Sequence, residues 1–387
     1  MATPRCFCLS RAEMLTGRPV TVIGAGVGGL AAATALAQRG ARVRVIEQAP
    51  EIAEVGAGLQ ISPNGAAVLA ALGQGAALRA AGLENRAVEL RDYAKARPVL
   101  RLDLAQYHTG RHPFILIHRA RLIELLESAA RAAGVEILLG QTADPADIDA
   151  PLIIGADGVK SATRVLLNGA AKPFFTGQVA WRAVIADQAV PEAHVYMGPG
   201  RHLVSYPLGN GLRNIVAVEE RAAWAEEGWN HADDPANLRA AFAGFAPEVR
   251  RWLDRVDAVK LWGLFRHPVA ARWHDDRVAL LGDAAHPTLP FLAQGANLAF
   301  EDAWVLTDCL EGLPQAEALA LYQSRRRARA VRVIEAANSN ARNYHLRNPL
   351  IRATAHRALG LAGRLLPEAP LNRFRWLYGH DVTAPGG

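Results

Sequence analysis

The chain has 387 residues, 51% of them hydrophobic and 21% charged, which is enough apolar material for a large core and excludes a disordered chain. No apolar run approaches the roughly 18–20 residues that a membrane-spanning helix needs, and the N-terminus lacks the apolar stretch of a signal peptide. The formal charge of +6 suits an anionic ligand but does not point to nucleic acid, because no basic stretch is interleaved with aromatics.

Residues 1–17 read as an N-terminal extension expected to be disordered, with Met14 as an alternative start. Cys6 and Cys8, with Cys309 far away, form no disulfide framework, and a lone C-x-C is no zinc site. The histidines are equally scattered, so no metal is expected, and a reducing cytoplasm is the default setting.

From Val20 the sequence VTVIGAGVGGLAAATALAQRGARVRVIE runs strand, glycine turn, helix, strand, acid. Gly24, Gly26 and Gly29 fill G-x-G-x-x-G. The first permits a tight turn, the second lets a pyrophosphate approach the backbone, and the third lets helix and strand pack closely. Free amides at the helix start favour phosphate, and Glu47 is placed to bind a ribose diol. A dinucleotide site is expected here.

The next stretch, VGAGLQISPN over 55–64, suits a backbone passing close to something bulky, or an ordinary loop. Pro63-Asn64 starts a helix that Gly73 ends. Residues 86–118 read as strands, and His118-Arg119 precede a helix marked by Leu122, Leu125, Leu126 and Ala129. Arg119 at that junction is a phosphate contact or a surface arginine. The strand at Leu152–Ile154 enters GADGVKSATR, a second glycine turn, with Asp157 in an Asx turn or a site and Arg164 in the helix behind it.

From Phe174 to about Arg266 consecutive hairpins replace the βαβ pattern, with Gly209-Asn210-Gly211 a clear turn. His202 and Tyr206, four apart on one strand, face one side, as a core or surface pair or a functional one. Val278–Leu281 then enters Gly282-Asp283-Ala284-Ala285-His286-Pro287, and a helix follows to Leu310 whose N-terminus near Gly295 can stabilise negative charge. The remainder is helical. SRRRAR at 324–329 reads as a solvated helix face, with phosphate contact or a subunit interface as alternatives. The expected architecture is α/β (an α+β composite): a dinucleotide-binding domain over 18–172 and 267–335, an inserted antiparallel-sheet substrate domain over 173–266, and a C-terminal helical segment over 336–387.

The turns Gly24–Gly29, Gly155–Arg164 and Gly282–Pro287 occur in this order, with an antiparallel sheet between the second and third. This resembles the group A aromatic-ring hydroxylases, the p-hydroxybenzoate hydroxylase-like flavoprotein monooxygenases, from Val20 to about Arg332. GADGVKSATR is similar to their DG motif and GDAAHP to their GD motif. VGAGLQISPN, His118-Arg119 and HPTLPFLAQGANLAFEDA resemble the branch of salicylate hydroxylase, 3-hydroxybenzoate 6-hydroxylase and 6-hydroxynicotinate monooxygenase.

The resemblance implies a Rossmann-like FAD-binding domain, with the FAD pyrophosphate on the first helix and Glu47 on the ribose. It implies Arg119 and Asp283 at the ribityl and phosphate region, and Gly295, Ala296 and Asn297 at the pyrimidine edge of the flavin. Asp157 and Arg164 would serve both cofactor organisation and the approach of NADH or NADPH. The implied reaction is reduction of FAD by NAD(P)H, addition of O2 at C4a to give a hydroperoxide, and hydroxylation of an electron-rich phenol or hydroxypyridine. A base and exclusion of water assist that chemistry. The H-x-x-x-Y-P arrangement resembles one in the 3-hydroxybenzoate 6-hydroxylase branch, so His202 and Tyr206 are the catalytic candidates, with Gln294 beside the flavin.

Some features depart from the family. Trp181-Arg182-Ala183 stands where relatives often carry aromatic-Arg-Gly, and the sequence after the Gly-Asp turn differs from true salicylate hydroxylases. Phe291 and Leu292 suggest an apolar pocket wall, and Arg182, Arg201 and Arg213 are all candidate carboxylate clamps. The expected partners are a small aromatic or heteroaromatic substrate and O2, in a monomer or homodimer. The competing readings are an epoxidase or N-hydroxylating relative, a flavin-binding ligand sensor, and a pyridine-nucleotide dehydrogenase, which leaves LAQGAN without a role.

Overall fold

Strand Pro19–Ile23 is apolar on both faces, the condition for a parallel strand covered by helices on either side. It sits in the middle of a five-stranded sheet ordered Val278–Leu280, Ile153–Gly155, Pro19–Ile23, Arg42–Ile46, Glu136–Leu138, with every pairing parallel. The three strands that run into glycine turns are therefore adjacent, and their turns gather at one carboxyl edge. The computed structural model describes residues 14–52, 58–104, 112–222, 231–366 and 368–384. Cys6, Cys8 and Val55 to Ala57 of the small-residue stretch lie outside them.

Two motif glycines are required by close approach. Gly24 has φ +102°, and a Cβ there would lie 2.5 Å from the Ala156 carbonyl oxygen. A Cβ on Gly29 would lie 2.0 Å from the Gly24 carbonyl oxygen. The first turn is thus packed against the second.

The extension ends sooner than residue 17. Leu15 is fully buried, and Gly17 N–H donates to the Gly40 carbonyl. Apolar packing claims those residues for the domain.

The second sheet has eight strands, ordered His231–Asp233, Val259–Arg266, Phe174–Ala186, Leu212–Glu220, Arg201–Gly209, Glu192–Gly198, Ala87–Asp92, Pro98–Asp103. The hairpin turn at Gly209-Asn210-Gly211 forms with all three residues at positive φ. The sheet is not wholly antiparallel, because Ala87–Asp92 pairs in parallel with Glu192–Gly198. Two strands from within 18–172 thereby extend the sheet expected over 173–266. Their alternating pattern is right for a half-buried strand, but periodicity does not name the partner strand.

Alternation divides the two faces of this sheet. Trp181, Ala217 and Leu261 turn into a core with Phe242 and Val249, while Ala180, Val218 and Trp262 turn toward Phe291. The site lies on the second of these faces.

The long C-terminal helices are Gln315–Tyr344 and Pro349–Leu365. The first runs without a break through the boundary expected at 335–336. SRRRAR is a solvated face only in part: Ser324, Arg325 and Ala328 are exposed, but the Arg326 side chain is 1% exposed and pairs with Glu301 and Asp302, both fully buried. A charge run reads as solvated unless acids on a neighbouring helix meet it, and here they do. No helix among the described residues is long and apolar enough to cross a membrane.

Candidate active site

At the start of the Val27–Gln38 helix no side chain caps the backbone, and the first intrahelical bond is Leu30 N–H to the Gly26 carbonyl. The amides before it are available to an anion. A Cβ on Gly26 would meet no protein atom within 4 Å, so this glycine leaves room for a ligand and is not demanded by packing. The Glu47 carboxylate is fixed beside the turn by the amides of Ala25 (2.7 Å) and Ala49 (2.9 Å).

A cavity of about 290 Å³ joins this turn to the large sheet. Its lining includes Gly26, Gly28, Arg119, Asp283, Gly295 and Ala296, and from the sheet Arg182, His202 and Tyr206. The Asp283 carboxylate opens into the cavity yet is ringed by protein. That enclosure pushes its carboxyl up, against the pull of His286 and Arg119. The Gly295–Gly312 helix also starts without a side-chain cap, its first bond being Leu298 N–H to the Gln294 carbonyl. Two helix N-termini thus bound one cavity, one at a glycine cradle suited to diphosphate and one beside Ala296 suited to a ring that gains negative charge. These features fit FAD.

The sheet supplies the other wall in register. His202 opposes Val218, then Ala180 and beyond it Trp262; Val204 opposes Val216 and then Arg182; Tyr206 opposes Asn214. All point to one face, as their spacing of two requires. His202 and Tyr206 lie roughly 13 Å apart by strand rise, so they address opposite ends of a bound ring. Burial pushes the Tyr206 phenol up, while Arg182 and a hydrogen bond with Gln60 pull the other way. Arg182 stacks on Trp262, 4.6 Å from the ring centroid.

Of the three arginine candidates, Arg182 alone lines this cavity. Arg201 and Arg213 sit at odd positions and turn away. Arg201 pairs with Glu219, and Arg213 pairs with Asp187 and Ser205. Phe291 forms part of the wall, with its ring 5.7 Å from that of His202. Leu292 stands behind that wall, packed against the cluster of Phe291, Trp262 and Leu264 on one side and Leu298, Val333 and Leu377 on the other.

Residues 18–144 and 137–337 match the family model described as an FAD binding domain. The chain belongs to the FAD binding domain family of flavoprotein monooxygenases. It is 38% identical to 3-amino-4-hydroxybenzoate 2-monooxygenase of Streptomyces cremeus, over 95% of this chain and 96% of that protein. It is 34% identical to 3-hydroxybenzoate 6-hydroxylase of Polaromonas naphthalenivorans, over 94% and 96%. Among solved structures, Klebsiella pneumoniae HpxO complexed with FAD and uric acid matches with a TM-score of 0.81 and 26% identity, over 96% and 98% of the two chains. The flavoprotein monooxygenase therefore uses FAD, with NAD(P)H as co-substrate.

In this monooxygenase several residues expected at the cofactor are hydrogen-bonded within the protein itself. The Asp157 carboxylate accepts from the Ser161 hydroxyl and from the Thr163 amide and hydroxyl, which fixes the start of the Ala162–Asn168 helix. Ala156, Gly158 and Val159 line the cavity, and Asp157 does not. Arg164 is buried and donates to the carbonyls of Pro268 and Ala284, tying the second turn to the third. Asn297 likewise points inward, accepting from Ser62 N–H (3.0 Å) and donating to Gln60 and Ala293 carbonyls. Gln294 lines the cavity, but its amide is engaged by Asn64 (3.0 Å) and Ser62 (2.9 Å). Sequence reasoning missed this last network. From Gln294 it continues through Asn64 to Glu301, then to Arg326 and Arg329, and through Asp302 to His286 and Gly282 N–H. Two adjacent acids in the otherwise apolar LAFEDAWVL were the available signal.

Gly29→Ala is expected to cost about 1–3 kcal/mol through overpacking, and to lower flavin occupancy in the purified protein. Flavin absorbance per chain, with a thermal melt, tests this. Full occupancy at an unchanged melting temperature is the contrary result.

Proposed function

We propose that the monooxygenase hydroxylates a small phenolic ring carrying a carboxylate, with His202 taking the ring-hydroxyl proton. The observation that carries this is one wall of the cavity. There His202 and Tyr206 flank a middle rung whose polar member is Arg182. The names of the hydroxybenzoate-acting relatives support the same substrate class. What FAD supplies when bound is acceptance of hydride from NAD(P)H and delivery of one oxygen atom of O2. The chain does the rest. Arg182 binds the carboxylate, His202 Nε2 removes the proton that keeps the ring a weak nucleophile, and Tyr206 fixes the far end. Trp262, Phe291, Val204, Val216 and Leu264 keep water from the reacting atoms. Amides at Gly295 and Ala296 stabilise negative charge on the facing ring. Arg119 and Asp283 hold the ribityl and phosphate region, and Glu47 the ribose. Asp157, Arg164, Gln294 and Asn297 position the turns that do so. A cytoplasmic monomer or homodimer, drawing on the cell's NAD(P)H, fits this role.

The test follows NADH and NADPH oxidation by the FAD-loaded enzyme over 3-amino-4-hydroxybenzoate, 3-hydroxybenzoate, 6-hydroxynicotinate, salicylate, uric acid and uncharged phenols, with product and peroxide assayed together. Stimulated oxidation with hydroxylated product from the carboxylated phenols is expected. Turnover of uncharged phenols alone, or peroxide without product throughout, would sink the proposal.

A further inference from the structure

His202 is 2% exposed and is not alone in the sheet wall. Its Nδ1 lies 2.6 Å from Nε2 of His345, itself 4% exposed, and His345 Nδ1 lies 2.9 Å from Glu220 Oε1. Glu220 is at the edge, with its side chain 30% exposed, and it also pairs with Arg347, whose side chain is 71% exposed. A continuous line of hydrogen bonds thus runs from the cavity to the surface. Its parts come from separate places in the chain: a strand, the segment after the Gln315–Tyr344 helix, and the end of the next strand. The His345 carbonyl accepts from Gly200 N–H, which holds that segment against the hairpin carrying His202.

The chemistry of the end group sets every proton along the line. Burial pushes the Glu220 carboxyl up, but hydrogen bonds from Arg347 and His345 bring it below its ordinary range, so it is an acceptor only. His345 must then donate through Nδ1. As a neutral ring it presents a lone pair at Nε2, and His202 must donate to that lone pair through its own Nδ1. The Nε2 of His202 is thereby left with its lone pair for a cavity ligand. Burial keeps both rings neutral: it lowers His202, reinforced by His345, and it lowers His345 in spite of Glu220.

We infer that His345 and Glu220 are positioning residues that lock His202 in its proton-accepting tautomer and carry the substrate proton out to solvent. This rests on His202 being the base of the proposed function. The ring O–H bond breaks as Nε2–H forms on His202, and Nδ1–H of His202 breaks as Nε2–H forms on His345. Nδ1–H of His345 breaks as O–H forms on Glu220, which releases the proton to water. Nothing is oxidised in this sequence. Protonation of the product phenolate runs it in reverse and restores both tautomers, so the line is ready for the next turnover.

The test uses the full-length FAD-loaded enzyme with histidine-selective 15N labelling. At neutral pH both His202 and His345 are expected as neutral rings protonated at Nδ1. Either ring found protonated at Nε2, or as imidazolium, overturns the inference without any substrate being needed. A second measurement mixes enzyme with 3-amino-4-hydroxybenzoate or 3-hydroxybenzoate in weak buffer and follows proton release with a pH indicator. Glu220→Gln accepts a hydrogen bond but not a proton, and is expected to slow release at least about tenfold with affinity within about threefold. His345→Gln should do the same. Unchanged release in both variants with slowed release in His202→Gln overturns the relay and leaves His202 as the base. Unchanged release in His202→Gln as well, or no release from the wild type, overturns the base assignment, and the tautomers alone then decide whether the line is wired as described.

Discussion

Arg326→Met will destabilise the enzyme by about 3–5 kcal/mol, the usual cost of stranding buried charge. Arg326 is fully enclosed and bridges two fully buried carboxylates, 2.6 Å from Glu301 and 2.7 Å from Asp302. Burial alone would raise both carboxyls. For Glu301 the charges of Arg326 and Arg329 reverse this, and for Asp302 those of His286 and Arg326, so each lies at about 2. Depressed values mean that the stabilisation is fully present above the ordinary carboxylate range and is lost as pH falls toward 2. Without Arg326, Glu301 keeps Arg329 and Asp302 keeps His286, but both carboxyls rise. The gap to the wild type therefore narrows as pH is lowered, because these groups take up protons at a higher pH in the variant than in the wild type. Urea denaturation at pH 8 and pH 5, with excess FAD, should show a large gap that narrows at the lower pH. A gap below about 1 kcal/mol, or one that widens on acidification, would show that the acids find other partners. The same variant should loosen the third turn, because Asp302 also accepts from Gly282 N–H (3.0 Å).

His202→Gln should lower hydroxylation by about a hundredfold or more, within the range for loss of a general base, with FAD binding unchanged. Glutamine fills the space and can still donate to His345, so packing is largely kept while proton acceptance is lost. Reduced enzyme should then divert O2 to hydrogen peroxide, and the ratio of product to NAD(P)H consumed should fall. Burial, reinforced by His345, holds His202 well below the ordinary histidine value, so at neutral pH it is the uncharged, proton-accepting form. A base is available above its own pKa. The acid limb of the hydroxylation rate should therefore lie below the ordinary value of about 6.5. The titratable and charged groups around the ring are His345 and Tyr344, with Glu220 and Arg347 beyond. Wild-type rates in the variant, or an acid limb at or above the ordinary value, would remove His202 from the chemistry.

Much of the site was legible because its signals are local. A G-x-G-x-x-G between a buried strand and an Ala-rich helix, closed by Glu47, needs no distant partner to be recognised. The structure bears out its physics at Gly24 and Gly29. Spacing of four put His202 and Tyr206 on one face, and both line the cavity. Arg182 could not be separated from Arg201 and Arg213 by type. Strand parity separates them, but only once the register shows which parity faces the flavin side.

The cofactor class and the three glycine turns could be read from the chain alone, since each rests on neighbouring residues. Which buried groups meet depends instead on the packing of distant segments. Arg326 and Arg329 looked solvated until Glu301 and Asp302 were found opposite them. His345 carried no signal until the end of a long helix laid it against His202. The physical reason is common to both. A charge or an imidazole can be buried only when a partner satisfies it, and that partner is chosen by packing between segments far apart in sequence.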